Sequence, residues 1–156
     1  MNIDVDSRAS SGQPIVEDQE IVNGLIKASG VRPTDHVTVA GHKTLEVVLS
    51  LFRRGYLHAT CRSAAEGPHV AENFADSIWI LNTENAAELR TLIAMLSLDL
   101  LPSGTLVFNL APQTPTERTE RLGEVLTKCG FASVQSTRSS DGTLLLTARR
   151  RPPLED

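Results

Sequence analysis

The sequence predicts a single α/β domain, a three-layer sandwich around a mostly parallel sheet of about six strands that ends in an antiparallel hairpin. Short apolar runs alternate with segments of helical periodicity along most of the chain. Strands joined by such helices run parallel, because the crossover needs a dozen or more residues, and near-continuous apolar runs suit strands covered on both faces. The length of 156 residues fits one such domain.

The N-terminal segment divides into an arm and a helix. Residues 1–14 are rich in Ser, Asp, Asn and Gly, and they offer too little apolar surface to offset the entropy of ordering them. We therefore expect a mobile arm. Residues 15–30 carry apolar side chains at the three-and-four spacing of a helix, namely Ile21, Val22, Leu25 and Ile26. This apolar stripe must pack on the sheet or on another subunit.

Residues 31–150 hold the alternating pattern, and residues 151–156 form a tail. The first strand runs over Val37–Ala40, and Gly41 ends it before a helix. That helix carries an apolar side made of Leu45, Val48, Leu49 and Phe52. A second strand is predicted over Leu57–Cys61, followed by an irregular stretch.

The later elements continue the alternation. The predicted order is a strand over Ser77–Leu81, a helix over Glu84–Leu101, a strand over Thr105–Leu110, a helix over Thr116–Cys129, and strands over Ala132–Arg138 and Thr143–Arg149. The first of these helices has a buried stripe of Leu89, Leu92, Ile93, Leu96 and Leu100. Asp141-Gly142 between the last two strands is a strong hairpin signal, so this pair is antiparallel.

Composition excludes several functional classes. The net charge of -4 is opposite to the basic surface of a nucleic-acid-binding domain. Two cysteines are too few for a disulfide scaffold and lack the spacing of a zinc site, so we expect no metal and a reducing, cytoplasmic setting. No apolar run approaches the roughly 18 residues of a membrane span.

Three local motifs accompany this order of elements. Residues 37–42 form a strand that runs into a turn and a helix, residues 100–107 enter a strand through Pro102-Ser103-Gly104, and residues 126–131 end a helix on Gly130-Phe131. Together they resemble the class I S-adenosylmethionine-dependent methyltransferases, a Rossmann-like family whose sheet ends in an antiparallel hairpin. The resemblance covers about residues 35–149 and implies the same fold.

The sequence departs from the family at three places that bind the cofactor. The family's Gly-x-Gly-x-Gly loop lets the backbone approach the cofactor, whereas this chain has one glycine, followed by His42 and Lys43. The family's acidic residue after the second strand, which binds the ribose, is replaced by Cys61-Arg62. Fifteen residues separate Cys61 from Ser77, too few for a helix, a third strand and another helix. We expect one strand to be missing.

These departures favour a non-catalytic methyltransferase-like domain that serves as a binding, regulatory or assembly module, with no cofactor expected. The alternative is a small active methyltransferase that uses S-adenosylmethionine. The resemblance then places Ala40, Gly41, His42 and Lys43 beside the cofactor with Cys61 and Arg62 near its ribose, while Asn82 and Glu84 position the acceptor. A third interpretation is an anion site at Gly41-His42-Lys43, where a helix begins.

The remaining unusual residues have simpler explanations. Cys61 is either a reactive thiol or a small buried apolar residue, and Cys129 is expected to be inert. Trp79 is predicted to lie in the core, where its indole N–H needs a partner. We expect a protein partner or self-association, with the helix over residues 15–30 as one candidate surface, and no nucleic acid or membrane partner.

Overall fold

The computed structural model describes residues 12–62, 75–83, 86–110, 115–138 and 142–150. In chain order the elements are α1 (Gly12–Ser29), β1 (Val37–Gly41), α2 (Thr44–Arg53), β2 (Ala59–Arg62), β3 (Ala75–Leu81), α3 (Ala86–Leu96), a 3-10 turn (Ser97–Asp99), β4 (Leu100–Leu110), α4 (Thr116–Lys128), β5 (Phe131–Arg138) and β6 (Leu144–Arg150). The predicted α/β class and element order are confirmed.

One sheet of six strands has the order β2-β1-β3-β4-β6-β5. The strands β2, β1, β3 and β4 are parallel, and β6 is antiparallel to both β4 and β5. The chain moves from β1 to β2 on one side and then returns to β3 on the other side of β1. The carboxyl ends of β1 and β3 therefore lie at a topological switch point, where open α/β sheets form their ligand crevices.

Helices cover both faces of the sheet and make two separate cores. On one face, the side chains of α3 and α4 pack against residues that include Ile78, Ile80 and Phe108. On the other face, α1 and α2 pack against Trp79 and Val107. The alternation of side chains along each strand sends neighbouring apolar residues into different cores, which explains the continuous apolar runs in the sequence.

Helix α1 packs on the chain's own sheet, one of the two destinations expected for its stripe. Val22 and Leu25 are fully buried, and the helix contacts α2, β4 and β6. It begins at Gly12, earlier than the predicted start at Ile15, so residues 12–14 of the predicted arm are helical. Pro14 is compatible with this start because it lies in the first helical turn. Backbone N–H groups there have no intrahelical acceptor, so the absence of one in proline breaks no helical hydrogen bond.

Helix α2 buries a different side from the one that the sequence indicates. Val47, Val48, Ser50 and Leu51 are its buried residues. Of the four residues on the predicted apolar side, only Val48 is buried. Leu45, Leu49 and Phe52 keep 60%, 41% and 40% of their surfaces exposed. The helix is apolar on two sides, and α1 and the sheet cover only one of them.

The boundary between α3 and β4 also differs from the prediction. Leu100 and Leu101 belong to β4 rather than to the preceding helix, and Leu100 pairs with Ala75 in the sheet. Pro102, Ser103 and Gly104, which were expected to precede the strand, form an irregular part of it, with a register shift and a left-handed Ser103 at φ 68°. An apolar residue such as Leu100 fits a helical stripe and a buried strand equally well, so periodicity could not decide between them.

Candidate functional site

The candidate site lies at the carboxyl ends of β1 and β3, which are paired as far as Gly41 and Leu81. Gly41 has a φ of 104°, and a Cβ atom there would lie 2.1 Å from the carbonyl oxygen of Leu81. The next residue, His42, donates its backbone N–H to that same oxygen at 3.0 Å. This glycine therefore permits the close approach of β1 to β3, a structural reason for its presence at the strand end.

The His42 side chain reaches across the crevice to α3. Its Nε2 atom lies 2.9 Å from Oε1 of Glu88, in the first turn of that helix. The two side chains are 59% and 31% exposed, so water screens the contact. An exposed pair of this kind contributes about 0.2–1 kcal/mol to stability. It nevertheless joins the turn after β1 to the start of α3.

Asn82, which follows β3, joins the same region to β4. Its Nδ2 donates to the backbone carbonyl of His42 at 3.1 Å. Its backbone N–H donates to Oδ1 of Asn109 at 2.6 Å, and Asn109 Nδ2 donates back to Asn82 Oδ1 at 3.0 Å. Asn82 has a φ of 57°, a left-handed conformation that asparagine tolerates better than most residues.

We call His42, Asn82, Glu88 and Asn109 the switch-point network. It links the ends of β1, β3 and β4 to the first turn of α3 through hydrogen bonds within the chain. Sequence reasoning named two of these residues, His42 and Asn82, and the structure brings them together. It named Glu84 as the carboxylate, but that residue lies outside the described residues.

Sequence reasoning missed Glu88 and Asn109. The signal for Asn109 was available, since it is the one amide inside the apolar run of residues 106–110, and it is only 8% exposed. A buried amide needs hydrogen-bond partners, which marks such a residue for attention. Glu88 carried no comparable signal, because an acidic residue in the first turn of a helix is favoured by the helix dipole alone.

The other predicted cofactor residues are distributed differently. Ala40 is fully buried, and its side chain belongs to the core on the α3 and α4 face. Lys43 is exposed and has a left-handed φ of 59° immediately before α2. Cys61 is exposed, which rules out the buried alternative for this thiol.

Arg62 forms an ion pair within the protein. Its Nη1 donates to Oδ2 of Asp99 at 2.6 Å, and the two side chains are only 12% and 9% exposed. Asp99 lies in the 3-10 turn before β4, and its carboxylate balances the guanidinium charge. Loss of either partner would leave an uncompensated charge in a nearly buried site, which typically costs about 3–5 kcal/mol.

Trp79 is fully buried, as predicted, and its indole N–H has the expected partner. Nε1 donates to Ser77 Oγ at 3.1 Å, and Ser77 Oγ donates to the carbonyl of Thr105 at 2.9 Å.

Three other residues that stand out in the sequence have ordinary surroundings. Cys129 is exposed. The His58 ring lies against the His36 ring, with the two centroids 4.8 Å apart. Arg150 donates to the carbonyls of Ser97 and Leu100.

The described residues contain neither a metal-binding cluster nor a membrane-spanning helix. In the ranges that the structure describes, no group of three or more His, Cys, Asp or Glu residues could hold a metal ion. Within those same ranges, the helices are too short or too polar to cross a membrane.

Solved structures similar to this chain include several methyltransferases. An S-adenosylmethionine-dependent O-methyltransferase from Thermotoga maritima matches with a TM-score of 0.65 and 11% identity, over 88% of this chain and 67% of that protein. A protein-(glutamine-N5) methyltransferase from Alicyclobacillus acidocaldarius matches with 0.55 and 15%, over 96% and 100%. The glycopeptide N-methyltransferase MtfA, in complex with S-adenosyl-L-homocysteine, matches with 0.58 and 12%, over 84% and 89%.

No protein-family model matches the sequence, and no curated protein does so. At identities of 11% to 15%, the structural likeness concerns the fold. The strand order, the helices on both faces and the antiparallel hairpin agree with it. The chain therefore has a class I methyltransferase-like Rossmann fold.

Proposed function

We propose that this chain is a non-catalytic methyltransferase-like domain that acts as a binding, regulatory or assembly module in the cytosol. The observation that carries the proposal is the switch-point network. Its side chains bond to one another and to the backbone at the sheet edge where a Rossmann-like fold binds its ligand. A cofactor would have to displace these contacts in order to bind.

The residues at this edge do not fit S-adenosylmethionine. The one glycine of the turn, Gly41, faces the Leu81 backbone. It lacks a side chain because the pairing of β1 with β3 leaves no room for one. The imidazole of His42 contacts Glu88 across the crevice. At the end of β2, where a ribose would need an acceptor, the chain presents Cys61 and Arg62, and the Arg62 guanidinium is paired with Asp99.

Two alternatives keep a ligand at this edge. The likeness to MtfA, solved with S-adenosyl-L-homocysteine, favours an active methyltransferase. In that case Asn82 and Glu84 would position the acceptor, and the imidazole of His42 would turn away from α3. An anion site at His42-Lys43 is less favoured, because the Glu88 carboxylate already occupies the anion's place beside His42.

Calorimetry with S-adenosylmethionine and with S-adenosyl-L-homocysteine tests the proposal directly. We expect no saturable heat at micromolar ligand and no change in Tm, since a ligand that binds only the native state raises Tm. Saturable binding of either compound would overturn the proposal and favour the active enzyme. Titration of Lys43→Ala with inorganic phosphate decides the third alternative, because an affinity equal to that of the unmodified chain eliminates it.

For the assembly role, α2 offers a better surface than α1, whose stripe is buried in the chain's own core. Leu45, Leu49 and Phe52 recur at helical spacing and form an exposed apolar stripe. Exposed Glu46 and Arg53 lie one heptad apart on the same flank of this stripe. A two-fold antiparallel pairing of two α2 helices would place each Glu46 beside Arg53 of the partner subunit. We therefore assign a second copy of this chain to the α2 stripe.

Sedimentation equilibrium tests this assignment. We expect the unmodified chain to dimerise reversibly and Leu49→Lys to be monomeric, because a lysine at the centre of the stripe would bury two like charges in the dimer. Leu98→Lys is the matched control, since Leu98 is 67% exposed in the 3-10 turn, away from α2. A monomeric unmodified chain at submillimolar concentration, or a dimer that survives Leu49→Lys, would contradict the assignment.

A further inference from the structure

A groove separates the first turns of α3 from the first half of α4. It encloses a volume of about 400 Å³, and its apolar floor consists of Leu89, Leu122 and Val125. Leu89 and Leu122 are buried and Val125 is half-buried. The volume falls within the range of about 300–1,000 Å³ that is typical of small-molecule sites.

The rim of this groove is basic. Among the described residues, Arg90 from α3 and Arg118 and Arg121 from α4 line it, together with the carboxylate of Glu117. Three guanidinium groups thus surround one apolar floor in a chain whose net charge is -4. Guanidinium groups bind carboxylates and phosphates through paired hydrogen bonds, and they bind such groups better than lysine does where geometry matters.

The three arginines differ in what they already contact. Arg118 has an interaction within the protein, and Arg121 lies four residues after Glu117, a spacing at which opposite charges attract weakly on a helix surface. Arg90 and Arg121 are exposed, and each guanidinium group carries five N–H donors. The site therefore depends on Arg90 and Arg121 rather than on Arg118.

We propose that this groove, which we call the arginine groove, binds a small organic anion with an apolar body and a carboxylate or phosphate head. The apolar part lies on the floor, where it removes hydrocarbon from water. The head accepts hydrogen bonds from the guanidinium groups of Arg90 and Arg121. The site is separate from the switch-point network and does not depend on the proposed function.

Calorimetric titrations with octyl phosphate and with octanoate, both below their micelle concentrations, test the site. We expect saturable binding of at least one of them, with octanol and inorganic phosphate each binding at least tenfold more weakly. Arg90→Ala combined with Arg121→Ala should weaken binding about tenfold or more, since one charge-assisted hydrogen bond contributes roughly that factor. Val125→Glu should have a similar effect by placing a like charge on the floor.

The matched control is Arg32→Ala, which removes an exposed arginine that follows α1 on the opposite face of the sheet. We expect its affinity to equal that of the unmodified chain. Three results would overturn the site: no saturable binding of either anion, octanol binding as tightly as octyl phosphate, or an equal loss of affinity in the Arg32→Ala control. The better anion identifies the head group.

Discussion

The two flanks of the first turn of α3 differ in how their charges are matched. On the side that faces β1, Glu88 meets His42, and the neighbouring amides of Asn82 and Asn109 bond to each other. On the side that faces α4, the described residues around an apolar floor are Arg90, Arg118 and Arg121 with the carboxylate of Glu117. A flank whose polar groups bond to one another has few donors left for a ligand, whereas a flank with more guanidinium groups than carboxylates attracts an anion. We therefore place the proposed anion site between the helices and not at the sheet edge.

The largest expected effect is that of Gly41→Ala, which places a Cβ atom against the Leu81 carbonyl oxygen, next to the switch-point network. Neither backbone can move without breaking the pairing of β1 with β3, so we expect a loss of more than about 3 kcal/mol in the free energy of unfolding. Urea denaturation measures it. Gly30→Ala is the control, because Gly30 also has a positive φ, of 70°, but has nothing within 4 Å of its Cβ position. Equal losses in the two variants would show that the contact with Leu81 is unimportant.

Asn109→Ala should have the next largest effect. It removes the acceptor of the Asn82 backbone N–H and the donor to the Asn82 side chain, leaving polar groups without protein partners. Such a loss costs about 1–3 kcal/mol. Chemical denaturation gives the value, and Gln135→Ala, an exposed amide on β5, serves as the comparison. A cost no greater than that of Gln135→Ala would mean that water replaces the network.

His42→Ala should cost less, about 0.2–1 kcal/mol, because its contact with Glu88 is exposed to solvent. A double-mutant cycle with Glu88→Ala isolates the pair from other contributions. A coupling energy of zero would show that the contact does not hold the turn after β1 to α3. The support that the proposed function draws from this pair would then be lost.

The smallest expected effect on stability is that of a substitution in the arginine groove. Arg121→Ala should change the free energy of unfolding by no more than about 0.5 kcal/mol, because Arg121 is exposed and alanine is the best helix former. Thermal denaturation at low ionic strength is the sensitive measurement. A loss of 2 kcal/mol, on the order of a core substitution, would assign Arg121 a structural role and remove the contrast between the flanks.

Much of the fold follows from local patterns in the sequence. Apolar runs, helix ends at glycine and the Asp141-Gly142 turn were enough to predict the order of elements and the final hairpin. The buried side of α2 was not predictable, because Leu45, Leu49 and Phe52 look as apolar as Val47 and Leu51. The positions of α1 and of the sheet decide which side is covered.

The site was predictable in part. His42 and Asn82 could be placed at the sheet edge because each follows a strand. Their partners could not, since Glu88 lies 46 residues from His42 in the sequence and Asn109 lies 27 from Asn82. Contacts at that separation depend on the arrangement of whole elements. The arginine groove is harder still, because Arg90 and Arg121 belong to two helices that face each other only in the folded chain.

The environment of Trp79 has a practical consequence. It is the one tryptophan of the chain, and it is fully buried with its indole N–H bonded to Ser77. Its fluorescence therefore comes from a single dry site, between the sheet and the α1 and α2 layer. A red shift in emission reports water entry at that site, so the protein supplies its own spectroscopic probe without a label.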